Sequence, residues 1–143
     1  MTVQALLSVK GGGVISIEPT ATLEAAAKKL AEHRIGALLV LGPDRRMSGI
    51  LSERDIVRVL AQQGAAALAQ PLSQVMTRKV VTCSPSDTVG VLMERMTIGK
   101  FRHVPVVEQE QVVGVVSIGD VVKHRLHEME QESAALRDYI QTA

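Results

Sequence analysis

Two seven-residue stretches carry the same side chains at the same spacing. They are Gly49-Ile50-Leu51-Ser52-Glu53-Arg54-Asp55 and Gly114-Val115-Val116-Ser117-Ile118-Gly119-Asp120. Each reads as glycine, two apolar residues, serine, two variable residues and aspartate. Apolar residues precede each glycine and a helical pattern follows each aspartate, so each stretch is expected where a strand hands over to a helix. The first amides of a helix lack internal partners and carry partial positive charge. A serine at such a corner can cap the helix or help hold a phosphate. An aspartate one turn on offers two acceptor oxygens to a pair of hydroxyls. The same residues can also be ordinary helix caps, and it is their occurrence in two equivalent places that favours a binding role.

The corners belong to a longer duplication. Displaced by 66 positions, Val14-Ile15-Ser16-Ile17-Glu18-Pro19-Thr20-Ala21-Thr22-Leu23 falls over Val80-Val81-Thr82-Cys83-Ser84-Pro85-Ser86-Asp87-Thr88-Val89. Leu38-Leu39-Val40-Leu41 then falls over Val104-Pro105-Val106-Val107, and after the loss of one residue the two corners align at a displacement of 65. A match of this length with a single gap indicates an internal repeat.

Each copy predicts the order β-α-β-β-α. Short β-branched strands at 14–17 and 80–83 end before a proline, which cannot continue a central strand. Thr22 and Thr88 have the chemistry of N-caps. Leu23, Ala26, Ala27 and Leu30, and likewise Val89, Leu92, Met93 and Met96, recur at helical spacing. Gly36 and Gly99 are expected to relieve a left-handed conformation near the helix ends. Strands at 37–41 with 47–51, and at 103–107 with 112–116, form a hairpin in each copy. The fold expected is α/β (α+β): two such repeats about a pseudo-twofold axis, with a long C-terminal helix. The divisions read are an extension at 1–13, repeats at 14–62 and 80–126, a linker at 63–79 and a helical extension at 127–143. Before the first repeat, residues 3–8 suit a short helical turn, and 72–76 are their counterpart before the second.

Beyond the repeat, Val122, Leu126, Met129, Ser133, Leu136 and Ile140 follow alternating steps of four and three. This stripe is longer than its own unit can cover, and a second subunit is expected to cover it.

Composition narrows the function. The 143 residues are 46% hydrophobic but contain one phenylalanine, one tyrosine and no tryptophan. The core is therefore aliphatic, and the stacking platforms of single-strand nucleic-acid binders are missing. A net charge of +1, with both signs spread along the chain, gives no polyanion-binding patch. No window reaches the ~20 apolar residues of a membrane span, and residues 1–9 lack the features of a signal peptide. A soluble, cytoplasmic protein is expected. Cys83, the sole cysteine, excludes an internal disulfide and has no matched base, so it reads as a buried small hydrophobe. The glycines at 11–13 lack the Gly-Lys-Ser/Thr of a phosphate loop. His124, His127 and Glu128 share a helix side at metal-compatible spacing, but no further ligands accompany them and a solvated face is expected. No metal is required.

The pairing of Val-x-x-x-x-Pro-x-x-Thr-Leu/Val, a hairpin and Gly-h-h-Ser-x-x-Asp, twice over, resembles the CBS domain (cystathionine β-synthase domain), here as a tandem pair or Bateman module. The resemblance covers about 14–60 and 80–126 and looks like a stand-alone CBS-pair protein, with no catalytic domain attached. It implies binding of adenine nucleotides (AMP, ADP, ATP or NAD(H)) or of S-adenosylmethionine in the cleft between the repeats, and pairing of modules into a homodimer. Carried over by motif, Asp55 and Asp120 would accept from ribose hydroxyls, and Ser52 and Ser117 would meet phosphate. Adenine would lie near Ile15, Ser16 and Ile17, or Val81, Thr82 and Cys83.

Basic residues break the symmetry. Lys100, Arg102 and His103 precede the second hairpin, where the first copy keeps only Arg34, with Arg54 inside its corner as compensation. An arginine fork suits phosphate oxygens. Two unequal sites are therefore expected, with AMP the leading ligand and an unidentified regulated protein as partner. The alternatives are a structural, dimerising module without ligand and, least favoured, an enzyme acting on a nucleotide with Asp55 or Asp120 as base.

Overall fold

A computed structural model describes residues 1–11 and 13–142, so Gly12 of the glycine run and the terminal Ala143 lie outside the described residues. Helix α1 (Val3–Lys10) comes first. The first repeat follows as β1 (Ser16–Ile17), α2 (Leu23–His33), β2 (Ala37–Leu41), β3 (Met47–Ser52) and α3 (Glu53–Gln63). Two 3-10 turns, Gly64–Ala69 and Leu72–Gln74, lead to α4 (Val89–Gly99), β4 (His103–Glu108), β5 (Gln111–Ser117) and α5 (Ile118–Thr142). β2 pairs parallel with β1 and antiparallel with β3, and β4 pairs antiparallel with β5. Both hairpins carry a bulge at the same repeat position, between Val40 and Leu41 and between Val106 and Val107. The threonine caps form as expected: Ala25 N–H donates to Thr22 Oγ1 at 3.1 Å and Val91 N–H to Thr88 Oγ1 at 3.2 Å.

The strand expected at 80–83 is not formed; only Cys83 makes a parallel bridge, to Val106. Cys83 N–H donates to Pro105 O and Val107 N–H donates to Cys83 O. The next rung toward Val81 would need an N–H from residue 105, and proline has none. In the first repeat the equivalent rung exists, Leu39 N–H to Ile15 O at 3.4 Å. The first strand is also shorter than expected, confined to Ser16–Ile17.

Neither helix end uses its glycine as expected. The left-handed positions are Arg34 (φ 54°) and Lys100 (φ 57°), while Gly36 keeps an ordinary φ. Gly99 is required for space instead: a β-carbon there would lie 2.0 Å from the ring of Phe101.

Two aliphatic cores lie under the repeats, and each borrows from a segment outside its own β-α-β-β-α unit. Val3 and Leu6 of α1 are buried in the second core, with Val89, Leu92, Val104 and Val121. Ala67, Leu72 and Met76, within the stretch read as a linker, are buried in the first core with Leu23, Leu38 and Leu51. The docking hydrogen bonds are equivalent. Val89 N–H donates to Met1 O and Val3 N–H to Asp87 O, as Leu23 N–H donates to Gln70 O and Leu72 N–H to Ala21 O. The two lead-in segments therefore superpose at a displacement of 69, each seated on the repeat it does not precede. Glycine permits both seats. A β-carbon on Gly49 would lie 2.6 Å from Thr77 O, and one on Gly114 would lie 2.8 Å from Leu7 Cδ2.

α5 is one continuous helix of 25 residues. Its Val121 is buried in the second core, whereas Val122, Leu126, Met129, Leu136 and Ile140 are each at least half exposed. The described residues leave this stripe uncovered.

Candidate functional site

Each corner is a capped helix start. Ser52 Oγ accepts from Asp55 N–H at 3.3 Å, while Asp55 Oδ2 accepts from Ser52 N–H at 3.0 Å and from Ser52 Oγ at 3.2 Å. This is a capping box with aspartate in the reciprocating position. Arg58 Nη1 stands 3.1 Å from Asp55 Oδ1. Asp55 is the one buried charged residue among those described, 6% exposed. A carboxylate offers about four lone-pair positions, so roughly one remains free, and Arg58, half exposed, is the partner able to yield.

The second corner repeats the cap with a different counter-ion. Asp120 N–H donates to Ser117 Oγ at 3.1 Å and Asp120 Oδ2 accepts from Ser117 N–H at 2.8 Å. Lys10 Nζ, from the end of α1, lies 2.7 Å from Asp120 Oδ2 and donates to Val115 O at 2.5 Å. Hydrogen bonds from Lys10 and Ser117 hold the Asp120 carboxyl below its usual value of 3.8 against the opposing effect of burial.

The first corner opens into a cavity of about 280 Å³. Ser52, Arg54 and Asp55 form one wall, Thr77, Lys79, Val80 and Val81 another, and Lys100, Phe101, Arg102 and His103 the third. Five cations (Arg54, Arg58, Lys79, Lys100, Arg102) face two carboxylates (Glu53, Asp55), with Ile50, Val80, Val81 and Phe101 as apolar wall. A cationic rim beside an apolar slot suits a ligand with an anionic and a flat apolar part. Of the sequence-predicted residues, Ser52, Arg54, Asp55, Val81, Lys100, Arg102 and His103 converge here, and Ser117 and Asp120 form the second corner.

The strand residues proposed for adenine are dispersed. Ile15 and Ile17 pack on the first core and Cys83 is buried in the second. The Ser16 carbonyl accepts from Lys29 Nζ and the Thr82 carbonyl from Arg95 Nη1. Burial and the nearby Asp87 carboxylate push the Cys83 thiol up to about 11, which leaves it a poor nucleophile. Arg34 lies outside the cavity, in a second groove lined by residues of α2 and α3.

Sequence reading missed Arg58, Lys79 and Phe101 in the cavity and Lys10 at the second corner. Lys10 and Lys79 were detectable, because they occupy equivalent positions of the superposed lead-in segments. The counterpart stretches legible in the sequence, 3–8 and 72–76, end before either lysine.

His103 stands where the two hairpins meet. Its ring carbon Cε1 would lie 3.3 Å from a β-carbon on Gly36, so glycine there makes room for it. Desolvation first, then the Lys10 ammonium, lower its pKa from the usual 6.5, opposed by Glu53 and Asp120. A lowered folded value means that the folded state resists protonation. The stability contributed is full above 6.5 and is lost as pH falls through 6.5 toward the folded value. Chemical denaturation at successive pH values should show this decline, and His103→Gln should flatten it.

Two duplicated α/β repeats with a cation-rimmed cleft beside one helix-start corner define a paired ligand-module architecture. The chain belongs to the CBS-domain family, whose model matches residues 12–62 and 72–127. A CBS-domain-containing protein of Agrobacterium tumefaciens has the same fold at TM-score 0.85 and 47% identity, over 87% of this chain and 92% of that one. A Pyrobaculum aerophilum CBS-domain protein complexed with AMP is similar at TM-score 0.75 and 32% identity, over 84% of this chain and 89% of that one. The CBS-domain pair of MJ0100, in complex with 5′-methylthioadenosine and S-adenosylmethionine, matches at TM-score 0.80 and 26% identity, over 90% and 98%. The chain spans 60% of the length of a mitochondrial CBS-domain-containing protein of Arabidopsis thaliana, to which it is 36% identical over 124 residues. No helix among the described residues is long and apolar enough to cross a membrane, and no group of three or more His, Cys, Asp or Glu there could hold a metal ion.

Proposed function

We propose that this chain is a regulatory module that binds adenine nucleotides, AMP foremost, in the cleft between its repeats and passes the bound state to a partner protein. The observation that carries the reading is the first corner, where Ser52 and Asp55 open onto a cavity rimmed by five cations. In this reading Asp55 accepts from ribose hydroxyls when Arg58 yields. Arg54, Lys79, Lys100 and Arg102 hold phosphate, and adenine lies against Val80, Val81 and Phe101. The AMP complex of the Pyrobaculum aerophilum relative and the adenosyl ligands of MJ0100 support this ligand class. ADP, ATP and NAD(H) share the recognised parts. In this reading the chain acts as a binding module rather than an enzyme, because a carboxylate given over to ribose hydroxyls has no reacting atom to serve.

Thermal unfolding with AMP, ADP, ATP, NAD⁺, NADH and S-adenosylmethionine tests it. A ligand at 100 times its dissociation constant should stabilise by about 2.7 kcal/mol. Absence of a shift with every one of them would favour the ligand-free structural reading, and turnover of a ligand over hours would favour the enzyme.

The working form is a homodimer, with the exposed stripe of α5 packed on a second copy. Truncation after Leu126 should convert the assembly to monomers in sedimentation analysis. An unchanged mass would remove this role from the helix.

A further inference from the structure

The second corner differs from the first in the cation that holds its aspartate. At the first, Asp55 is paired with Arg58 of its own helix, and Lys79 lines the open cavity beside it. At the second, the equivalent lysine, Lys10, is on the aspartate itself, 2.7 Å from Asp120 Oδ2. Its position is built rather than incidental. Val3 and Leu6 anchor α1 in the second core, and Leu7 fills the space over Gly114. Gly11 N–H donates to Leu7 O to close the helix, and Val115 O accepts a second hydrogen bond from the ammonium. The same Asp120 Oδ2 also accepts from Ser117 N–H, so ribose hydroxyls seeking this carboxylate compete with Lys10.

We propose that Lys10 sets the ligand class of the second corner. It neutralises Asp120 while the corner is empty, and moves to the ligand's phosphate when ribose hydroxyls take the carboxylate. This rests on the adenine-nucleotide reading above and deepens it. A ligand without an anion displaces the ammonium, which is partly exposed, and gives it no new partner, so the ion pair is lost without replacement. A 5′-phosphate supplies that partner. The second corner therefore selects AMP over adenosine, and does so through a residue that lies outside the repeat it serves.

The test titrates AMP and adenosine separately into the full chain, with site-resolved methyl NMR following Val115 and Val116 beside the second corner. The wild-type chain should prefer AMP. Lys10→Met should lower the AMP-to-adenosine affinity ratio there by at least about tenfold, and Lys10→Arg should restore most of it. Lys79→Met should leave the ratio at Val115 unchanged. An unaltered ratio in Lys10→Met would overturn the role of Lys10 while leaving the nucleotide reading standing. If neither compound moves any signal of the wild-type chain, the nucleotide reading falls and this assignment falls with it.

Discussion

Leu72→Ala is expected to destabilise the chain by about 2–5 kcal/mol, the range for emptying a buried leucine site. Sequence alone puts Leu72 in a linker, where an alanine would be nearly neutral. In the fold it is fully buried among Leu23, Leu38 and Leu51, and its N–H donates to Ala21 O at 2.8 Å. The cavity it leaves is walled by secondary structure from several elements and has little freedom to collapse. Urea unfolding followed by circular dichroism gives the value directly. A loss under about 0.5 kcal/mol, typical of exposed positions, would mean that the lead-in segment is not part of the first core.

Asp55→Ala should cost both stability and ligand. Its carboxylate accepts from the Ser52 N–H and hydroxyl and pairs with Arg58. Truncation removes charge-assisted hydrogen bonds, each contributing about 1.5–3 kcal/mol. Because Arg58 is half exposed, water replaces part of what it loses, and about 1.5–3 kcal/mol is the expected total loss. At the first corner, nucleotide affinity should fall at least about tenfold, equal to about 1.4 kcal/mol. Asp55→Asn separates the two effects. The amide oxygen can still accept from Ser52 N–H and so retains much of the cap, but it lacks the charge that attracts ribose hydroxyls. A variant that loses stability but binds unchanged would make Asp55 a cap alone.

Much of this was legible because duplication checks itself. Val80-Val81-Thr82-Cys83 looks like a strand by composition, and the repeat reinforces that look. What decided otherwise was Pro105, at the position of Leu39, whose missing N–H is felt only by the strand that would pair with it. Residue type at one site thus removed a strand elsewhere, and no local pattern in 80–83 records it. The helix ends failed for a related reason. Glycine near a helix terminus suggests a left-handed turn, but Gly99 is answering to the Phe101 ring and Gly36 to His103.

The basic cluster Lys100-Phe101-Arg102-His103 was legible as a phosphate candidate, and the fold sets it across the cavity from Ser52 and Asp55 while His103 stays paired with Ser117 of its own corner. That reach across the repeats has the same origin as the crossed lead-in segments. Only a three-dimensional pairing of repeats makes residue 10 a neighbour of 120 and residue 79 a neighbour of 55. Within one copy, such contacts leave no periodicity to read. The α5 stripe was readable because it does leave one, and it emerges as an uncovered face.

The central claim is that adenine nucleotides occupy the cleft at the first corner, and calorimetric titration of AMP into the wild-type chain and into Asp55→Asn tests it most directly. Saturable binding by the wild type, weakened at least about tenfold in the variant, is the expected result. Equal affinity in both chains, or no saturable heat with AMP in a wild-type chain that is folded by circular dichroism, would contradict it.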